Sequence, residues 1–447
     1  MVTEGDAATT QGTSGSELVT FLYGDLTGLS RGRSFPLRDL PERLHSGVGW
    51  VPADQALTPF DEIADPNPWG PVGDLRLLPD RRTEVRVDGW LEASALHFFL
   101  CDAVETDGAR WEACPRALLK EALSALERDA GLRLVAAFEQ EFHLSGPGRS
   151  GPAFSMEAHR LVEPFGPLLV AALEEGGQEP ETFLPEYGPG QYEINCRPAE
   201  GIAAPDRALS VREIVRESAR RLGHRASFTP IVDPDGVGNG VHVHFSFLDE
   251  DGRPAGYDPA RPGRVSEASG QFVAGILRHL PALVALTAPS VISYLRLTPH
   301  RWSAGFTAFG DRNREAAVRI SPTYAGADPE RQFNLEYRAA DAAACPHLAL
   351  AAVVLAGLEG IREKLPDPPL IAADPAEMGD EERARLGVRR LPGSLEEALA
   401  ALEADEVARS WFPPLLLECY LSMKRTEIRL LDGAEPTEAC ARYLDAY

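Results

Sequence analysis

Residues 137–144 read AFEQEFHL. On an extended strand, successive side chains alternate between faces, so positions two apart lie together. Glu139, Glu141 and His143 then share one face, and Phe138, Phe142 and Leu144 share the other. Carboxylates at that spacing stand ~7 Å apart and, at an effective dielectric of ~20, repel by roughly 2–3 kcal/mol. A half-buried strand keeps that cost only for a purpose. A positive group between the two carboxylates is the expectation.

Four further stretches repeat the pattern. In GQYEINC, Tyr192, Ile194 and Cys196 oppose Gln191, Glu193 and Asn195. In GVHVHFSF, Val241, Val243, Phe245 and Phe247 oppose His242, His244 and Ser246. FNLEYRA sets Leu335 and Tyr337 against Asn334, Glu336 and Arg338, and AAVRIS sets Val318 and Ile320 against Arg319. Each strand has an apolar face for helices to cover and a second face of residues that make poor cores and poor strands. Glu186 lies just before one of these strands. If the five strands share a sheet, one face gathers carboxylates, imidazoles and guanidiniums. Carboxylate oxygens with an imidazole suit Mg²⁺ or Mn²⁺ rather than structural zinc. Arginines suit phosphate or a substrate carboxylate. The combination points to phosphoryl transfer, where catalysis is mostly positioning and charge neutralisation. Singly, each feature reads equally well as a solvated strand face, and the glycines of DGVGNG read as a turn. The repetition across five strands carries the argument. There is no GxxxxGK[ST] phosphate loop.

The totals bound the rest. At 447 residues the chain exceeds one hydrophobic core, so two or more domains are expected. Asp and Glu number 68 against 44 Lys and Arg, a net charge of −24. That is a poor partner for nucleic acid or an anionic membrane. Six cysteines (101, 114, 196, 345, 419 and 440) show no CxxC and fit free thiols in a reducing cytoplasm. Residues 1–16 lack a basic start and an apolar stretch, so they read as a disordered tail rather than a signal peptide. The longest apolar run, 348–358, is too short for a bilayer and reads as a buried helix. From Glu17 to Val87 short apolar runs alternate with Gly and Pro, a small β-rich domain. Helices are expected after Pro115, over 208–224 and 266–287, and from Ser394 through SLEEALAALEADEVARSW.

In this order, these motifs resemble the glutamine synthetase family. FEQEFHL is similar to its Glu-x-Glu-Phe strand, PEYGPGQYEI to its Glu…Pro-Gly-Gln-Tyr-Glu run, and GNGVHVHFSF to its His-x-His-x-Ser strand. YLRLTP, RNREAAVRIS and LEYRAAD are similar to its Arg-Leu-x-Pro, Asn-Arg-x-x-x-x-Arg and Glu-x-Arg-x-x-Asp segments. The resemblance runs from about residue 17 to the end. It implies an α+β fold: an N-terminal β-grasp domain over 17–108 and a catalytic domain over 109–447, whose antiparallel strands form a funnel covered by helices. It also implies homo-oligomeric rings with active sites between subunits. The implied reaction phosphorylates the γ-carboxylate of glutamate with ATP, after which an amine displaces phosphate. By motif, Glu141, Glu186 and Glu193 hold one Mg²⁺ (or Mn²⁺), and Glu139, His242 and Glu336 the other. Arg296, Arg338 and Gly238 hold glutamate. Arg314 and Arg319 neutralise the moving phosphate, with His244, Ser246 and Arg319 at the nucleotide.

The departures bear on the amine. Ammonia-using members of the family continue Arg-Leu-x-Pro to Gly-Tyr-Glu, and this chain reads RLTPHRWSAG, with Trp302 at the glutamate position. GWVPADQALTPF stands where the family has an ammonium-contacting Asp-Gly-Ser-Ser loop. Val237 replaces an asparagine, Asn334 replaces an arginine near the nucleotide, and the adenylylation segment is not recognisable. An indole in place of a carboxylate suits a larger amine, as an apolar wall or a cation–π partner. The expectation is an ATP-dependent ligase joining glutamate to an organic amine. Ammonia-using glutamine synthesis, a silent ligand-binding regulator and a metal-dependent cupin are the alternatives.

Overall fold

The computed structural model describes residues 17–90, 94–146 and 151–447. The expected tail over 1–16 lies outside the described residues. The chain forms an N-terminal β-grasp domain followed by a larger catalytic part of two sheets and many helices. In the first domain, Leu18–Gly24 pairs antiparallel with Ser30–Pro36 and parallel with Leu96–Glu105. Leu96–Glu105 also pairs with Leu75–Pro79 and Val85–Val87, and Val48–Trp50 closes the edge.

The helix Pro115–Ala130 opens the catalytic part, with proline at its first turn and Gly131 ending it in the left-handed region at φ 65°. Glu267–Thr287 starts on Ser266, whose hydroxyl accepts from Ser269 N. It packs closely on Pro346–Arg362, the expected buried helix. A Cβ on Gly275 would lie 2.8 Å from Gly360 N, so glycine permits the approach. Glu267–Thr287 is long and apolar enough to cross a membrane, but 78% of its apolar window is buried inside the protein, which makes it a core helix. The helix from Ser394 ends at Ala404. Asp405 interrupts it and caps a second helix, Glu406–Ser410, so the expected single helix is two.

The opening stretch is not one strand. Arg133–Phe138 belongs to one sheet and Gln140–Ser145 to another, and the chain breaks at Glu139. The five polar-faced strands therefore do not share a sheet. Arg133–Phe138, Val243–Leu248, Leu335–Tyr337 and Ala316–Ile320 lie consecutively in a six-stranded sheet. Gln140–Ser145 and Gln191–Cys196 lie in a four-stranded sheet. The apolar sides behave as expected: Phe138, Phe142 and Leu144 are buried, and so are Val243, Phe245 and Phe247. The polar sides reach one place because Glu139 sits where the two sheets part. Its amide and that of Glu141 still bond Gly240–His242, donating to His242 O at 3.0 Å and Gly240 O at 3.3 Å.

Candidate active site

Register sets out the first half of the site. In the six-stranded sheet, Glu336 faces His244 on one side and Arg319 on the other. Arg319 Nη1 donates to Glu336 Oε2 at 2.6 Å. Arg338 donates through Nη1 to Glu336 Oε1, through Nε to Arg314 O at 3.1 Å and through Nη2 to Trp302 O at 2.9 Å. Burial opposes the charge on Glu336, yet His242, Arg338 and His244 outweigh it and hold the carboxyl below its usual range. Glu139 completes this half. Its Oε2 meets His242 Nδ1 at 2.9 Å and its Oε1 meets His244 Nε2 at 3.0 Å. Burial again works against the charge, and the two imidazoles overcome it, keeping Glu139 well below the carboxylate range.

The second half is acid on acid. Glu193 lies directly opposite Glu141 in the four-stranded sheet, a pairing that repels. Glu141 Oε2 accepts from Gly240 N at 2.7 Å and from Gln191 Nε2 at 3.1 Å. Burial nonetheless pushes its carboxyl up to about 7, with the charges of Glu186 and Glu139 adding to the rise. Glu193 is pushed up by burial and by Glu139 and Glu141, and Glu186 by burial and Glu139. Three carboxylates thus sit together without enough cation.

The residues fit a divalent-cation centre. One donor atom each from Glu139, His244 and Glu336 lies within 4.8 Å of the others. His242 Nε2 is buried with no partner among the described residues. The donors are mostly carboxylate oxygens, the hard set that magnesium and manganese prefer. His244, expected at the nucleotide, stands in this cluster as well as lining a cavity.

That cavity, about 370 Å³, includes Glu139, Thr182, Cys196, His244, Ser246 and Asn334. It accounts for the expected His244 and Ser246 in one place. Arg296, whose charge reaches Glu141, is buried, with Nη1 unpartnered among the described residues. Gly238 lies tight against it: a Cβ there would sit 2.7 Å from Arg296 Cδ. Arg314 is exposed, and its charge reaches Glu186. Trp302 is 51% exposed at φ 52°, a rare backbone conformation for a bulky residue. Its ring centroid lies 5.3 Å from that of Tyr187, itself 56% exposed. Tyr187 N donates to Glu186 Oε2 at 3.1 Å.

Tyr187, Gln191 and Asn334 were not among the expected site residues. Gln191 was legible as part of the Pro-Gly-Gln-Tyr-Glu run. Tyr187 carried no signal, because its partner is over a hundred positions away.

The family description "Glutamine synthetase, catalytic domain" matches residues 112–441, and "Glutamine synthetase N-terminal domain" matches residues 6–111. The chain belongs to the glutamine synthetase family. It is 37% identical over 438 residues to the gamma-glutamylpolyamine synthetase of Streptomyces coelicolor, covering 95% of this chain and 92% of that protein. It is 29% identical over 429 residues to the glutamine synthetase of Methanocaldococcus jannaschii, covering 92% and 91%. Among solved structures, a "novel glutamine synthase homolog" superposes at TM-score 0.90 with 48% identity, covering 97% of this chain and 99% of the other. A GmaS/ADP complex superposes at TM-score 0.79 with 25% identity, covering 94% and 95%. As a glutamine synthetase family member, the protein is an ATP-dependent glutamate–amine ligase, in a family that uses divalent metals.

Proposed function

We propose that this ligase joins the γ-carboxylate of glutamate to an organic amine, giving a γ-glutamylamide, ADP and phosphate. The observation that carries the reading is the Trp302–Tyr187 ring pair beside Glu186. Ammonia-using members of the family place a glutamate where Trp302 stands. An ammonium ion needs carboxylate partners, whereas an alkylammonium also offers carbon surface that two half-exposed rings can cover. The likeness to a gamma-glutamylpolyamine synthetase supports the same side of the choice.

Glu141, Glu186 and Glu193 hold one Mg²⁺ or Mn²⁺, and Glu139, His242 and Glu336 the other. Bound there, the metals supply neutralisation of the phosphate charge. Arg296, whose buried Nη1 has no partner among the described residues, takes a glutamate carboxylate together with Arg338, and Gly238 leaves room for it. Arg319 and Arg314 offset charge on the transferred phosphoryl group, and the cavity at His244 and Ser246 takes the nucleotide. The amine nitrogen then attacks the acyl phosphate carbon, the C–N bond forms as the C–O bond to phosphate breaks, phosphate leaves with the bonding electrons, and the surplus proton on nitrogen passes to solvent. Homo-oligomeric rings with active sites between subunits follow from the same family reading.

The test is phosphate release from Mg·ATP and glutamate with ammonia, alkylamines, diamines, polyamines and amino alcohols in parallel, with products read by mass. Turnover with an organic amine and not with ammonia is expected. Turnover with ammonia alone would overturn the reading.

A further inference from the structure

The loop that carries Trp302 is tied down at three consecutive residues. It runs from Arg296, the last residue of the short helix Ser293–Arg296, to the strand Phe306–Asp311. Within it His300 and Trp302 both stand at positive φ, 63° and 52°, in the left-handed region that residues with side chains rarely adopt. Such a backbone persists only where its surroundings fix it. Because it sets the direction of the Cα–Cβ bond at Trp302, it also sets where the ring can lie.

The three ties are unequal. The His300 ring meets Asp374 Oδ2 at 2.8 Å, but the His300 side chain is 65% exposed, and an exposed pair of this kind holds little. Trp302 O accepts from Arg338 Nη2, which belongs to the glutamate site. Between them Arg301 is half-buried, and its Nη1 donates to Gly236 O. Gly236 belongs to a turn closed on itself: its amide donates to Asp233 O at 2.8 Å, and Asp235 N donates to Asp233 Oδ1 at 3.0 Å. Two residues on, Gly238 bridges to Ile231, accepts from Gln191 Nε2 at 3.0 Å and packs on Arg296. Arg301 is thus flanked by the two left-handed residues and fastened to a fixed point near Arg296.

We propose that Arg301 is a positioning residue for the amine site: by gripping Gly236 O it holds the 300–302 backbone in the conformation that sets the Trp302 ring 5.3 Å from that of Tyr187. The inference rests on the reading of Trp302 as an amine contact.

The test is steady-state phosphate release with saturating Mg·ATP and glutamate, using the alkylamine, diamine or polyamine of the panel above that turns over fastest. Arg301→Ala is expected to raise the amine KM by about 2–30-fold, the range expected of Trp302→Ala, with kcat little changed. The double variant Arg301→Ala/Trp302→Ala should be no worse than Trp302→Ala alone, because a residue that acts through another has nothing left to act on. Arg301→Lys keeps a donor for Gly236 O and should recover most of the loss. A wild-type amine KM in Arg301→Ala, fold-changes that multiply in the double variant, or a fall in kcat with KM unchanged would each overturn the inference while leaving Trp302 as an amine contact. Equal loss in Arg301→Ala and Arg301→Lys would assign the effect to packing and overturn it too. Trp302→Ala with a wild-type amine KM would remove the reading of Trp302 itself.

Discussion

Two buried clusters of charge lie in this protein, and they are built on opposite principles. At the junction of the two domains, Arg116 is buried and donates to Asp206 Oδ1 and Oδ2 at 2.9 and 2.8 Å, to Asp102 at 3.0 Å and to Asp80 at 2.8 Å. Lys120 reaches Asp102 at 2.5 Å, and His347 meets Asp206 at 2.8 Å. Burial opposes the charge on Asp206, and Arg116 and His347 overcome it, so the carboxyl titrates below its usual range. Every carboxylate there has a cation. Between the two catalytic sheets, the charges of Arg296 at Glu141 and of Arg314 at Glu186 do not offset burial, which drives Glu141, Glu186 and Glu193 upward. A satisfied cluster holds domains together. An unsatisfied one costs stability and is kept because a ligand completes it.

That contrast breaks most visibly at Arg116. Arg116→Met leaves buried Asp206 with His347 alone and takes the shared cation from half-buried Asp80 and Asp102, and it should destabilise the protein by about 3–5 kcal/mol in urea unfolding. A loss under ~1 kcal/mol would mean that the junction is held by its apolar contacts alone.

Glu193→Gln should do the reverse. It removes one of the crowded carboxylates, so the cation-free protein should gain on the order of 1 kcal/mol at pH 8, while activity falls about 100-fold or more. Thermal unfolding and phosphate release on the same samples separate the two effects. Destabilisation by this change would mean that Glu193 is structurally paired.

Acidity sharpens the comparison further. Glu141 titrates at about 7 in the folded chain against 4.5 ordinarily. The folded chain therefore holds a proton that the unfolded chain has released, and cation-free stability should fall as pH rises through that window. Added Mn²⁺ should reverse the fall, because it binds the deprotonated carboxylates. The junction works with the opposite sign: Asp206 titrates low, so its contribution is present above the ordinary carboxylate range and is lost only in acid. Unfolding midpoints across pH 5–9, with and without cation, check both signs.

The smallest expected effect is at the ring pair. Trp302→Ala should raise the amine KM by about 2–30-fold with kcat for bound substrate little changed, in line with a cation–π or apolar contact of about 0.5–2 kcal/mol. An equal fall in kcat would show instead that Trp302 holds Arg338 through the backbone.

Much of this was legible before any coordinates. Alternation in five short stretches picked out Glu139, Glu141, Glu193, His244, Glu336 and Arg319 as facing residues, and register then placed His244, Glu336 and Arg319 in one row. Alternation says which face a side chain takes, but not which sheet its strand joins, so the break at Glu139 was invisible. Pairing across distant sequence was equally hidden. Tyr187 meets Trp302 through loops whose approach no local pattern encodes, whereas alternation had put Asn334 and His244 on the polar faces of strands that prove to be neighbours. The junction cluster was hidden for the same reason, since Asp80, Asp102, Arg116 and Asp206 come from separate elements and share no local motif.

The most direct measurement is calorimetric titration of Mn²⁺ into the cation-free protein in two buffers of different ionisation enthalpy. More than one cation per chain, bound with release of protons from the crowded carboxylates, is the expected result. No binding, or binding with no proton released, would contradict the claim that Glu141, Glu186 and Glu193 are held together to receive metal.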